Sequence, residues 1–373
     1  MDYIKGMIMG AAIGDALGLP YEFNNSKEYC PVIQEYSKLN RFTKEITTFP
    51  LGILSDDTEL ALTLLRNLIN NNFVYSEESI IKDYMEWANS GVKFMGKNIR
   101  SLFYGIKTIK GYYNRTQKIF GNGQGLNKQS NGSLMRIYPL ALLKDSQSIY
   151  NDTYLTNPNK LSMFVNLIYI GLLKSLLYRN NESRIIFEHD QEYIEAERNI
   201  KEVFKIINDD KFLLTINKKD RGWCIYGLYC ALYCYRNFDT FEDAMEWVIK
   251  QGGDTDTNAS IVGALMGAKL GYSLMSEEPN TSINIDIVKN CEYRPGKYTL
   301  NDFDNLCENT LKKMYDNSDI TEYYGVLEAE QYSPRDKKIT FKLVLNTYDN
   351  PDQTIYEPDN IGFNELDLEE SKS

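Results

Sequence analysis

At 373 residues the chain is long enough to bury one large core or two modest ones. Its 43% hydrophobic and 25% charged residues are ordinary for a globular protein. A formal charge of −11 and a pI near 4.9 argue against sequence-independent binding to nucleic acid, which needs a cationic surface to replace counterions.

In chain order, helical periodicity predicts helices over 4–18, 58–70, 77–90, 97–109, 161–178, 193–208, 222–236, 240–250 and 257–275. A Gly- and Asn-rich loop, Gly121–Ser133 (GNGQGLNKQSNGS), precedes the apolar segment LMRIYPLALL. Strand-like alternation is scarce until KITFKLVLN at Lys338–Asn346. From about Gly325 the sequence turns polar and acidic, with Pro334, Pro351 and Pro358. The expected organisation is an all-α domain over 1–324. A short acidic extension over 325–373 follows, able to add a β-strand and disordered at its end.

Gly6, Gly10, Gly14 and Gly18 recur every four residues, as do Gly263, Gly267 and Gly271. Glycine costs about 1 kcal/mol against alanine inside a helix, so such ridges imply close backbone approach. The two ridges pack either on each other or on shared neighbours. In both cases they adjoin the chemically richest segments of the chain.

Those segments are SDDTE at Ser55–Glu59 and GGDTDT at Gly252–Thr257. Each opens a predicted helix with two carboxylates and a hydroxyl. Either one alone reads as a helix cap that offsets the dipole. Their duplication favours a shared site, because converging carboxylates repel without a cation. Oxygen-only ligands suit hard divalent ions.

Six cysteines (Cys30, Cys224, Cys230, Cys234, Cys291, Cys307) form no CxxC pair, so buried thiols are preferred to zinc or to a disulfide scaffold. The single histidine, His189, excludes a His-rich zinc site and disfavours a Ser-His-Asp triad. No apolar run is expected to reach the length of a membrane span. The N-terminus lacks a basic region ahead of a hydrophobic one. A reducing, cytoplasmic location and a monomeric state are expected, without membrane or nucleic-acid partners.

Four segments then point to a family. GxxxGAAIGDALGLPYEF from Gly6 to Phe23, SDDTELALTLL, NGSLMRIYPLAL and GGDTDTNASIVGALMGAKLG follow the order and spacing of the ADP-ribosylglycohydrolases. The chain resembles that family over roughly residues 3–320. The resemblance implies a compact all-α orthogonal bundle with two divalent cations, Mg²⁺ or Mn²⁺, at the mouth of a cleft. Residue by residue, the implied metal ligands are Ser55, Asp56, Asp57, Asp254, Asp256 and Thr257, with Ser55 where most relatives carry Thr. Glu22 matches a glutamate beside the metals, and Glu22 or Asp57 would move the proton. Asn127, Lys128, Gln129, Ser130, Asn131, Gly132 and Ser133 match the segment that wraps the substrate's diphosphate. Trp223 matches an aromatic residue near the nucleoside, although a core role suits it equally. Arg136 is expected in a structural ion pair with a core carboxylate, Asp15 being one candidate.

The resemblance also has gaps. Phe94 stands where some relatives carry an Asp near the scissile bond, and Asn157 where many carry a His. The implied activity is metal-dependent hydrolysis of the bond between ADP-ribose and an acceptor, a protein side chain or a small conjugate. The alternative is a catalytically silent ADP-ribose binder.

Overall fold

The computed structural model describes residues 1–23, 28–39, 46–121, 123, 128–143, 145–178, 184–186, 203, 205–206, 209, 211–217, 220–316, 325–333 and 338–345. Asn127, His189, nearly all of the helix expected over 193–208 and the end of the chain lie outside the described residues.

The architecture is helical. In chain order the helices are α1 (Asp2–Gly18), α2 (Asp56–Asn70), α3 (Glu77–Ala88), α4 (Lys97–Phe103), α5 (Ile109–Phe120), α6 (Gln147–Thr156) and α7 (Lys160–Tyr178). They continue with α8 (Phe212–Thr215), α9 (Cys224–Asn237), α10 (Phe241–Gln251), α11 (Thr255–Leu270), α12 (Tyr272–Glu277), α13 (Pro279–Lys289) and α14 (Phe303–Asp316). Strands β1 (Tyr36–Leu39) and β2 (Ile46–Phe49) form an antiparallel hairpin in which Tyr36 faces Phe49. The strand expected in the extension is present as β5 (Lys338–Leu345). It pairs antiparallel with β4 (Gly325–Ser333), which also pairs with β3 (Arg184–Ile186).

The glycine ridges pack on each other. α1 and α11 run antiparallel at the centre of the molecule, each buried almost throughout. A methyl group added at Gly6 would lie 2.2 Å from the Gly267 carbonyl oxygen, and one at Gly10 would lie 2.2 Å from that of Gly263. The next rungs are Gly14 against Ala259 and Gly18 against Asp256. Only hydrogen fits at these positions, so the four-residue glycine spacing fixes the register of the pair as well as its closeness.

Several boundaries differ from expectation. The helix predicted over 97–109 stops at Phe103, because the chain turns at Gly105 with φ +76, and the Gly105 N–H donates to Asn89 Oδ1 at 2.9 Å. The helix predicted over 257–275 likewise stops at Leu270. Gly271, at φ +84, opens the separate turn α12. α5, α6, α13 and α14 were not among the expected helices. LMRIYPLALL forms consecutive 3₁₀ turns, Leu134–Arg136 and Tyr138–Leu142, broken into short pieces around Pro139. α7, at 19 residues, is long and apolar enough to cross a membrane, contrary to the sequence expectation. It is a core helix, with 72% of its apolar window buried inside the fold.

Buried thiols are as expected. Cys224, Cys230, Cys234, Cys291 and Cys307 are free and buried, and burial pushes the Cys224 and Cys230 thiols up to about 12. Arg136 is fully buried in an ion pair, but its partner is Asp152 at 2.9 Å, not Asp15. The guanidinium also donates to Thr156 Oγ1 at 2.9 Å and to the Asp152 carbonyl at 2.8 Å. It thereby ties the 3₁₀ turn to the end of α6. Asp15 is unavailable to it, because that carboxylate is engaged at the start of α2.

Candidate metal centre

The helix pair delivers half of the acidic groups. α1 ends at Gly18, and a 3₁₀ turn, Leu19–Tyr21, carries the chain to Glu22. Phe23, at φ 50, donates its N–H to the Gly253 carbonyl at 2.8 Å, which pins Glu22 beside the turn before α11. That turn needs its two glycines, since Gly252 and Gly253 have φ +73 and +85. Thr255 Oγ1 closes the junction by donating to the Gly18 carbonyl at 2.8 Å. As a result Glu22, Asp254 and Asp256 each present a carboxylate oxygen within 4.8 Å of the others.

The N-terminus of α2 supplies the other half. Ser55 is the N-cap, accepting from the Asp57 N–H at 3.2 Å while its hydroxyl donates to Asp57 Oδ2 at 2.6 Å. Ser55 therefore caps the helix and holds the Asp57 carboxylate at once. Asp15, projecting from α1, accepts from the Ser55 N–H at 3.0 Å and the Thr58 hydroxyl at 2.6 Å through the same oxygen. This buried carboxylate thus ties α2 to the helix that carries Glu22. Asp56 Oδ2 accepts from the Gly96 N–H at 2.7 Å. One turn into α2, Glu59 is locked by Trp87 Nε1 at 2.7 Å and by Arg294 Nε at 2.9 Å.

Electrostatics join the halves. Burial raises the Asp57 carboxyl well above the usual range, and Asp15, Asp56 and Asp254 push the same way. Asp256 is raised likewise, by burial first and then by Glu22, Asp254 and Asp57. Burial takes Asp254 and Asp15 up to about 6, against hydrogen bonds from Asn131 and Thr58 respectively. These are the shifts expected of carboxylates crowded together without a counter-charge. Lys38, on β1, offers Glu22 an ammonium group at 2.9 Å. Asp57 Oδ1, Asp256 Oδ1 and Asp15 Oδ1 are buried with no hydrogen-bond partner. An unpartnered buried carboxylate oxygen is costly, and an oxygen-only set of this kind fits a hard divalent cation.

The expected substrate segment reaches the same place from another side. The Asn131 side chain donates to Asp254 Oδ2 at 2.9 Å, and Thr257 Oγ1 donates to Asp254 Oδ1 at 3.3 Å. Gly222 lets Asp254 fit, since an added methyl there would lie 2.9 Å from Asp254 Oδ2. Lys128–Ser133 is stitched to 222–224 by a bridge between Ser130 and Trp223. The Cys224 N–H donates to the Gln129 carbonyl at 3.0 Å, and Trp223 Nε1 donates to Gln129 Oε1 at 3.2 Å. The Asn131 N–H is engaged by the Gly222 carbonyl at 2.9 Å, so that amide holds the loop in place instead of facing an anion. Asn157, fully buried, donates to the carbonyls of Lys128 at 2.7 Å and Ser130 at 3.1 Å. Phe94 packs its ring on Phe49 at 4.9 Å.

Among the described residues, Glu22, Asp254 and Asp256 bring carboxylate oxygens together, Asn131 and Thr257 bond Asp254, and Asp57 bears electrostatically on Asp256, whereas the Asp56 carboxylate is taken up by the Gly96 N–H. Sequence reading missed Asp15 as the strut of α2, Gly222 as the space for Asp254, and Lys38 as the partner of Glu22. The GDALG motif and the Gly in RGW held the first two signals. Lys38 had none, because it comes from a hairpin without a distinctive pattern.

Comparison with known proteins identifies the family. The sequence profile described as ADP-ribosylglycohydrolase matches residues 1–317. A protein of Acanthamoeba polyphaga mimivirus named as an ADP-ribosyl glycohydrolase is 27% identical, over 77% of this chain and 91% of that protein. The ADP-ribosyl-[dinitrogen reductase] glycohydrolase of Rhodospirillum rubrum is 23% identical, over 72% and 86%. A solved structure titled as an ADP-ribosylglycohydrolase-related protein complex shares the fold. Its TM-score is 0.51 at 19% identity, over 77% of this chain and 96% of that one. The chain belongs to the ADP-ribosylglycohydrolase family, whose hydrolase activity its sequence and its acidic centre support.

Proposed function

We propose that the chain hydrolyses the glycosidic bond between ADP-ribose and an acceptor, using a centre built to hold two divalent cations of the Mg²⁺ or Mn²⁺ type. The observation that supports this reading is the cluster of Glu22, Asp254 and Asp256 carboxylates, with Asp57 Oδ1 and Asp256 Oδ1 buried and unpartnered and Asp57 bearing on Asp256. Ser55, Asp56, Asp57, Asp254, Asp256 and Thr257 would hold the ions. When bound, such ions orient sugar hydroxyls and lower the pKa of an attacking water.

The protein's own groups do the rest. Glu22, partly exposed at the rim and held by Lys38, is placed to take the proton of the attacking water or to protonate the leaving group. Asp57 is the second candidate for proton transfer, its carboxyl raised by burial. Asn131 fixes the Asp254 carboxylate. The segment Lys128–Ser133, with Asn127 adjoining it, and Trp223 form the side of the centre that would take the diphosphate and nucleoside. Cleavage through an oxocarbenium-like state follows the general chemistry of glycosides.

A second reading, a catalytically silent binder, is favoured by Phe94 and Asn157. Both are packed into structural roles here where a reacting group would need to face substrate. One experiment separates the two. The protein is incubated with ADP-ribosylated arginine, serine and nucleic-acid substrates, with and without Mg²⁺ or Mn²⁺, beside Asp254→Asn. Free ADP-ribose released only by the cation-loaded wild type supports the hydrolase. Tight ADP-ribose binding without product supports the binder, and full turnover by chelated protein refutes the cation-dependent mechanism. AMP among the products would mean that the pyrophosphate is cut instead.

A further inference from the structure

Three of the buried oxygens without a hydrogen-bond partner belong to Asp15, Asp57 and Asp256 of the acidic centre, and the Tyr36 hydroxyl is a fourth. A buried hydroxyl left unpaired is costly, so its position calls for a reason. Tyr75 and Tyr138 also bury an unpartnered hydroxyl, but the charged groups bearing on Tyr75 are Asp152, Arg136 and Glu77, not those of this centre. Tyr138, though, is enclosed in the core at 1% exposure. Tyr36 is only half-buried as a residue, yet its oxygen is buried.

The fold puts the strand face that carries this residue next to the acidic groups. Tyr36 and Lys38 are two apart on β1 and so share a face. Lys38 Nζ is 2.9 Å from Glu22 Oε2, so this face looks onto the acidic groups. The charged and titratable groups bearing on the Tyr36 phenol are Asp256, Asp15, Glu22 and Tyr293. With burial, they keep the phenol protonated and hence a hydrogen-bond donor. The ring itself is held firmly. It stacks on the cross-strand Phe49 at 5.0 Å and 23°, and Phe49 in turn meets Phe94. The cluster is completed by Leu19 and Ile53, which lead directly into the turns that deliver Glu22 and Ser55. Tyr36 is therefore clamped between the two chain segments that build the centre.

We propose that the Tyr36 hydroxyl is a ligand-binding donor of this centre, held in reserve for an oxygen of the sugar bound there. The inference rests on the proposed reading that the centre takes the ribose of an ADP-ribose group. It makes β1 a wall of the site and gives the hairpin, which carries no ligand motif, a part in recognition.

The test is Tyr36→Phe in the full chain, titrated calorimetrically with Mn²⁺ alone and then with ADP-ribose in the presence of Mn²⁺, together with a thermal melt of the ligand-free protein. Expected are unchanged Mn²⁺ binding, ADP-ribose binding roughly tenfold weaker, and a melting temperature no lower than wild type. The last follows because the variant removes an unpaired buried group and keeps the stacked ring. Equal ADP-ribose affinity in variant and wild type overturns the inference alone, and so does a lowered melting temperature with affinity intact. If the wild type itself fails to bind ADP-ribose, the proposed reading of the site falls, and this inference with it.

Discussion

Replacing Gly10 by alanine probes the contact that assembles the centre. The added methyl would lie 2.2 Å from the Gly263 oxygen, 3.0 Å from its carbonyl carbon and 3.2 Å from the Phe241 ring. An ordinary carbon–oxygen contact is more than 3 Å, so the helices must part by roughly 1 Å. Neither partner at the closest contact is a flexible side chain. Alanine gains about 1 kcal/mol of helix propensity, while overpacking costs about 1–3 kcal/mol, or more where backbone must move. Here separation also loosens the neighbouring rungs at Gly6 and Gly14. A net loss of about 2 kcal/mol is expected, read as a lower urea midpoint at unchanged slope. Gly296→Ala is the control, since its methyl would meet nothing within 4 Å, and it should stay within about 0.5 kcal/mol of wild type. Gly18→Ala, whose methyl would lie 2.5 Å from the Asp256 Cα, should weaken cation binding as well. A Gly10→Ala protein as stable as wild type would refute the argument that backbone contact sets this helix pair.

Other consequences concern charge and the loop. Asp152→Ala leaves the Arg136 guanidinium buried without its partner and should cost about 3–5 kcal/mol in denaturant unfolding, whereas an unchanged midpoint would mean that the pair carries no weight. Asn157→Ala removes the donors to the Lys128 and Ser130 carbonyls. It should raise KM for an ADP-ribosylated substrate more than it lowers kcat, and a pure kcat effect would contradict a positioning role. The cation-free protein should lose stability as pH rises from about 4 through about 6. The sign follows from Asp15 and Asp254, whose raised folded-state values mean that the folded protein holds more protons than the unfolded chain in that window. Melts of chelated protein at pH 5 and 7 check this, with Mn²⁺ expected to restore stability at the higher pH.

The acidic segments, the glycine ridges and their order along the chain were legible because each is local: a cap-like cluster or a four-residue repeat is visible in a few consecutive residues. From them the helical fold class and the family follow. Helix ends at Gly105 and Gly271 were not legible, because a glycine inside an apolar run can continue a helix or leave it. The partner of Arg136 was equally hidden, since several buried carboxylates could have offered the same charge and only packing puts Asp152 within reach.

The sequence by itself determined where carboxylates and hydroxyls cluster at two helix starts and that the glycine-ridged helices must approach a neighbour closely. The tertiary structure alone decided how they meet. The antiparallel register of α1 on α11 sets Gly18 against Asp256 and so brings Glu22 to Asp254. Asp15 reaches across to seat α2, and a hairpin with no motif of its own contributes Lys38 and Tyr36. Residue types and short spacings are written along the chain. Convergence depends on which helix faces are forced together, and here the space left by missing side chains decides it.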